Sequence, residues 1–158
     1  MSATVIAFPR PRMPMIVESE LLGEVAVEND ELITFPMGLL GFPACREFVL
    51  IPSEREGMFW LQSVEHSPLA FLLVDPFVTV EGFAVDLGST DRAELQIEEQ
   101  SDVAILAIVT LGSAAQGGCT VNLQGPVAFN LRTRRAKQIA VPNSEYGVRW
   151  PIDLKALP

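Results

Sequence analysis

Residues 120–139 read TVNLQGPVAFNLRTRRAKQI, and the fold turns on how they alternate. At period two, Val121, Leu123, Val127, Phe129 and Leu131 share one side, and Thr120, Asn122, Gln124 and Asn130 share the other. That is the pattern of a half-buried strand. Its outward row carries carboxamides instead of scattered charges. Gly125-Pro126 interrupts it, and Pro126, with no N–H to give a ladder, marks a sheet edge or a bulge. The amides have two readings. They offer donors and acceptors to a partner's backbone without the desolvation cost of a charge, or they satisfy loop backbone and hold a barrel closed. For Gln62 and Gln138 the structural reading is favoured.

Outward from this stretch, short strands recur about every ten residues. Residues 103–109 (VAILAIV) and 69–74 (LAFLLV) are apolar throughout and read as buried strands, far short of the ~20 residues a membrane helix needs. Residues 48–52 and 58–62 are further strands, and 136–141 returns after a basic turn at 132–135. Residues 22–35 read as a hairpin with turn chemistry at Asn29-Asp30. Residues 36–43 are a Pro/Gly-punctuated loop, Asp75-Pro76 stops a strand, and 77–85 alternates loosely with a bend at Gly82. Residues 89–102 are the best helix candidate, with Asp91 and Glu94 at capping-box spacing, and 112–118 a loop. Many short strands and at most one or two short helices predict an all-β, mainly antiparallel domain, a small barrel over residues 15–158. Residues 1–14 read as a loosely ordered extension.

The chain's 158 residues carry a formal net charge of −9, unevenly spread. Residues 16–102 hold 18 acidic and 3 basic side chains, whereas 103–158 hold 2 and 6. An acidic body repels phosphates and disfavours direct nucleic-acid binding. It serves solubility, or it attracts a basic protein. Glu28, Asp30 and Glu31 in the first predicted turn, with Glu54 and Glu56 in the next loop, are the candidates to face such a partner, and the basic turn is expected to face away from it. Phe59, beside Trp60 and Leu61, is the candidate apolar contact.

Catalytic signatures are missing. No phosphate-cradling glycine loop or nucleophile elbow occurs. Ser63 or Ser67, His66 and Asp75 make a triad only on paper, and Cys45, Cys119 and His66 lack the number and spacing of a zinc site. The two cysteines read as reduced thiols. No enzyme, cofactor or metal is expected. A small-ligand-binding barrel is the alternative, and it requires a cavity lined by Phe35, Phe71 and Phe129.

In order along the chain, GEVAVENDELITFPMGLLGF (23–42), FWLQS (59–63), AFLLVDPF (70–77), VAILAIVT (103–110), TVNLQGPVAFN (120–130), AKQIA (136–140) and SEYGVRWPI (144–152) resemble one family, the flagellar assembly factor FliW. The resemblance spans residues 22–154. It departs at Leu40, Pro43 and Gly125, where the family often has proline, an acidic residue and alanine. It implies a small barrel-like cytoplasmic protein, non-catalytic, that binds flagellin. It also implies binding to CsrA, a basic repressor of flagellin translation. When flagellin is exported, the freed factor engages CsrA and lowers its hold on the message.

Overall fold

The computed structural model describes residues 14–39, 41–112, 118–142 and 145–154. The extension expected over 1–14, Pro14 apart, and most of the 112–118 loop lie outside them. Among the described residues eleven strands form: β1 (Met15–Ser19), β2 (Gly23–Val27), β3 (Leu32–Thr34), β4 (Glu47–Pro52), β5 (Met58–Ser63), β6 (Ala70–Val74), β7 (Val103–Thr110), β8 (Thr120–Val121), β9 (Val127–Asn130), β10 (Arg135–Gln138) and β11 (Trp150–Pro151). Two short helices, α1 (Pro76–Thr79) and α2 (Ser89–Glu94), separate β6 from β7.

Strands β7-β6-β5-β4-β3-β10-β9 run side by side, and β9 pairs back onto β7, closing a seven-stranded barrel. Every pairing in it is antiparallel except β3–β10, which is parallel and rests on the single pair Arg135↔Thr34. Alternation then sorts side chains to the two faces of the wall. Inside, Ile33, Phe35, Phe48, Leu61, Leu73, Leu106, Val127 and Phe129 make the core. Phe35 meets Phe48 edge-on at 5.1 Å and Phe129 at 6.2 Å, so aromatic rings fill the barrel at these positions. Rings thus occupy the space between Phe35, Phe71 and Phe129 that a small-ligand-binding barrel requires to be open. Outside, further clusters lie beneath β1–β2, beneath residues 80–85 with the C-terminal segment, and beneath the stretch after α2.

The opening stretch is not one alternating strand. β8 and β9 both pair with β7, but in different registers. Extending the Val109↔Val121 register places Gln124 opposite Leu106, whereas Val127 sits there. An offset of three residues is odd, so it exchanges the faces. Val121 and Leu123 join the outer cluster with Trp60 and Trp150, while Val127 and Phe129 point into the barrel. Leu131, expected inward, is half exposed.

Other expectations change as well. Residues 22–35 are not a hairpin: β2 pairs with β1, while β3 pairs with β4. Between them Asn29–Glu31 forms a short 3-10 turn, braced by reciprocal side-chain bonds of Glu28 and Glu31. Residues 77–85 form no strand, because Asp75 caps α1 through a 2.9 Å bond from the Phe77 N–H and Gly82 then turns with φ 75°. The helix at 89–102 stops after Glu94, with Gln96 in the left-handed region at φ 57°. Gly88 is its N-cap, so Asp91 and Glu94 cap nothing and instead hold Lys137 of β10, Asp91 at 2.6 Å. The buried strand predicted at 103–109 is only partly buried over Val103, Ala104 and Ile105.

Candidate protein-binding surface

Strand direction decides which turns are neighbours. The N-terminal ends of β3, β5, β7 and β10 and the C-terminal ends of β4, β6 and β9 meet at one end of the barrel. That end carries the Asn29–Glu31 turn, the β4–β5 turn with Glu54 and Glu56, α1, the turn Gln100–Asp102 and the basic turn. Two acidic groups separated by twenty-odd residues in the chain thus share one end. Asp30, Glu31, Glu54 and Glu56 are exposed, and Glu28 is half-buried.

The basic turn does not face away; it belongs to this same end. Arg134, left-handed at φ 62°, donates from Nη2 to the Glu31 carbonyl at 3.0 Å. Arg132 lies 3.5 Å from Asp102 and 3.7 Å from Glu98. Arg132 is thus partly neutralised by local carboxylates, while Glu54 and Glu56 have no ion pair among the described residues.

Between α1 and the barrel rim lies a groove of about 690 Å³, with Leu50, Phe59, Leu106, Phe77, Val78 and Leu131 along it and Glu56 at its edge. Phe77, Val78 and Leu131 are at least half exposed. Phe59 is half-buried there, and Trp60 packs on the outer cluster instead. Sequence reasoning reached Phe59 but not Phe77 and Val78. The signal was an apolar pair directly after a strand stop, where helix rather than strand turns both toward one rim.

The amides divide. Gln62 is fully buried on the outer face of the wall, opposite Val49, which packs beneath β1–β2. Its Nε2 donates to the carbonyls of Ser63 and Ser67, both at 3.1 Å. Asn130 is 1% exposed because the segment after α2 lies over it. Its Nδ2 donates to the carbonyls of Leu95 at 2.7 Å and Gln96 at 3.1 Å, and its Oδ1 accepts from the N–H groups of Arg132 and Thr133. Asn122 folds the interruption into a tight turn by accepting from the N–H of Gln124 and Gly125. Gln138 donates to the Gly125 carbonyl at 2.9 Å. Pro126 is buried, and its carbonyl accepts from Ile139. Only Gln124 of this group is exposed. Gln62, Pro126 and Asn130 thus do not present side chains to a partner: an outward direction from the barrel wall is not exposure when a second layer covers the wall.

The triad residues are kept apart. Ser63 is buried at the far end of β5 and accepts from the His66 backbone N–H at 3.0 Å, while Asp75 caps α1 at the acidic end. Among the described residues no group of three or more His, Cys, Asp or Glu is placed to hold a metal, and no helix is long and apolar enough to cross a membrane.

With this architecture in view, a family model described as FliW protein matches residues 16–152. The chain belongs to the FliW family. It is 37% identical over 139 residues to the flagellar assembly factor FliW of Natranaerobius thermophilus, covering 87% of this chain and 92% of that one. It is 39% identical over 137 residues to that of Geobacter sulfurreducens, covering 87% and 86%. A crystal structure of the flagellar assembly factor FliW superposes with a TM-score of 0.80 at 28% identity, over 90% of this chain and 100% of that one. The seven-stranded barrel is thus this family's fold.

Proposed function

We propose that residues 15–158 act as one domain, a cytoplasmic flagellar assembly factor that works by partner exchange without catalysis. It binds flagellin while flagellin is present inside the cell. Once flagellin is exported, it binds the basic repressor CsrA and relieves repression of flagellin translation. The observation that carries this reading is the gathering of exposed carboxylates, Asp30, Glu31, Glu54 and Glu56, and an apolar groove at one end of the barrel. Carboxylates there attract a basic protein over the Debye length, and the groove supplies the area that holds it. Nucleic acid is not bound directly.

The test is binding of purified flagellin and CsrA to the intact chain and to Glu54→Lys/Glu56→Lys. Both proteins are expected to bind the wild type. The double variant is expected to associate with CsrA more slowly at low salt, with an unchanged urea midpoint. No binding of either protein to the wild-type chain overturns the reading.

A further inference from the structure

The groove runs along an open strand edge at the rim of the barrel. β6 pairs with β7 only as far as Val74↔Ala107, because Asp75-Pro76 turns the chain into α1. β7 begins four residues earlier, at Val103. Residues 103–106 therefore have β9 on one side and no strand of the described residues on the other.

The phase of the ladder says which groups face that gap. The Asn122 N–H donates to the Ile108 carbonyl at 2.9 Å, and the Leu131 N–H donates to the Asp102 carbonyl at 2.8 Å. Even-numbered residues of β7 thus turn their backbone groups toward β8 and β9, and odd-numbered residues turn theirs toward β6 and, beyond its end, the gap. The Val103 N–H is used by the Gln100 carbonyl. This leaves the Val103 carbonyl with the Ile105 N–H and carbonyl directed at the groove.

Space lies on both faces of this edge. On the inner side is the 690 Å³ groove lined by Phe59, Leu106 and Phe77. On the outer side a second hollow of about 330 Å³ is lined by Asp86, Arg92 and Gln100. Phe77, Val103 and Ile105 border both. A strand laid on the edge sends alternate side chains to opposite faces, so this edge suits a segment that is apolar at every second position and polar between.

We propose that the edge of β7 at Val103 and Ile105 is a docking site for an extended segment of a partner protein, added as a further strand. The segment places alternate apolar side chains in the inner groove, polar ones in the outer hollow, and a lysine or arginine beside Glu56. This rests on the reading that partner proteins are bound at this end. Charge selects the occupant: a second copy of this chain, with net charge −9, brings like charge to an acidic rim.

Amide hydrogen exchange read by NMR on the intact chain is the test, with flagellin and CsrA added in separate arms. In the free protein the Ile105 amide is expected to exchange at least tenfold faster than those of Ala104 and Leu106. Equal protection means the edge is closed, and the proposal is overturned. On saturation by a partner, Ile105 is expected to become protected by tenfold or more, and Ile105→Pro, which removes the gap-facing donor and leaves the N–H groups facing β9 in place, to weaken binding tenfold. Should that variant fail to fold, Phe77→Lys on the exposed face of α1 is expected to give the same weakening. Partner binding that leaves Ile105 unprotected overturns the edge and leaves the proposed function standing. If neither protein binds, a peptide of alternating valine and threonine flanked by lysines is titrated instead. Protection of Ile105 by it supports the edge without those partners, and no protection overturns it. Protection that grows with the chain's own concentration assigns the edge to a second copy and overturns the partner assignment.

Discussion

Replacing Asn130 by alanine removes four hydrogen bonds from a site that is 1% exposed. The bond to the Leu95 carbonyl is fully buried, and the other three are partly so. A buried group stripped of its partner costs roughly 1–3 kcal/mol, and the wetter bonds contribute a few tenths each, giving about 2–4 kcal/mol in all. With a urea dependence of about 2 kcal/mol/M, the midpoint is expected to fall by roughly 1–2 M. Asn130→Asp sharpens the argument. It keeps both acceptor bonds but turns a carboxylate toward two carbonyl oxygens, so at neutral pH it is expected to be no more stable than the alanine variant. Equilibrium unfolding in urea with the wild type alongside is the assay. A loss below about 0.5 kcal/mol for alanine, or an aspartate variant more stable than the alanine one, refutes the reasoning. Binding separates the two readings of the amide: below its unfolding transition Asn130→Ala is expected to bind flagellin and CsrA as the wild type does, because Asn130 has no surface to offer them.

Lys137→Met is expected to lose about 1 kcal/mol, since the ammonium joins Asp91 and Glu94 at the half-exposed contact of α2 with β10. Hydrogen bonds to Asp91 and then Glu94 raise the Lys137 pKa above 10.5, so the difference from wild type in urea midpoint is expected to be flat from neutral pH up to that value and to shrink as pH climbs past it. Gly38→Ala combines φ 68° with a Cβ only 2.7 Å from the Pro43 backbone and is expected to cost about 2 kcal/mol or more, whereas Gly23→Ala, at φ 78° in open space, costs about 1 by thermal unfolding. Arg132→Ala frees Glu98 and Asp102 at the acidic end, and stopped-flow association with CsrA is expected to speed up at low salt and converge with wild type at high salt.

Strand identity was legible because the apolar runs around Phe48, Leu61, Leu73 and Leu106 are continuous and bounded by turn residues. The partner of each strand was not. Nothing local to residues 22–35 says that β2 will pair backward with β1, since the Asn29-Asp30 signal fits a 3-10 turn as well as a hairpin. The face exchange within residues 120–130 was illegible for a sharper reason. Periodicity reports direction only while register holds, and the offset at Gly125-Pro126 changes it. Asp30, Glu31, Glu54 and Glu56 kept the exposure that turn residues imply, because surface turns hold their charges in solvent wherever the strands go. Buried amides did not, because Gln62 and Asn130 face away from the barrel into a second layer that alternation cannot reveal.

Ring closure through Arg135↔Thr34 has a consequence for the chain as it is made. Strands β3–β6 pair with one another early, but the interior side of that sheet, with Phe35, Phe48, Leu61 and Leu73, has no lid until β9 and β10 arrive. About 60 residues separate Val74 from Arg135, so at ribosomal speeds of roughly 5–20 residues per second the half-built barrel waits on the order of 3–12 s with its greasy face open. A nascent curved sheet of that kind is a substrate for a holdase, and slowing codons after β6 lengthens its exposure and lowers the soluble yield without changing one residue of the finished protein.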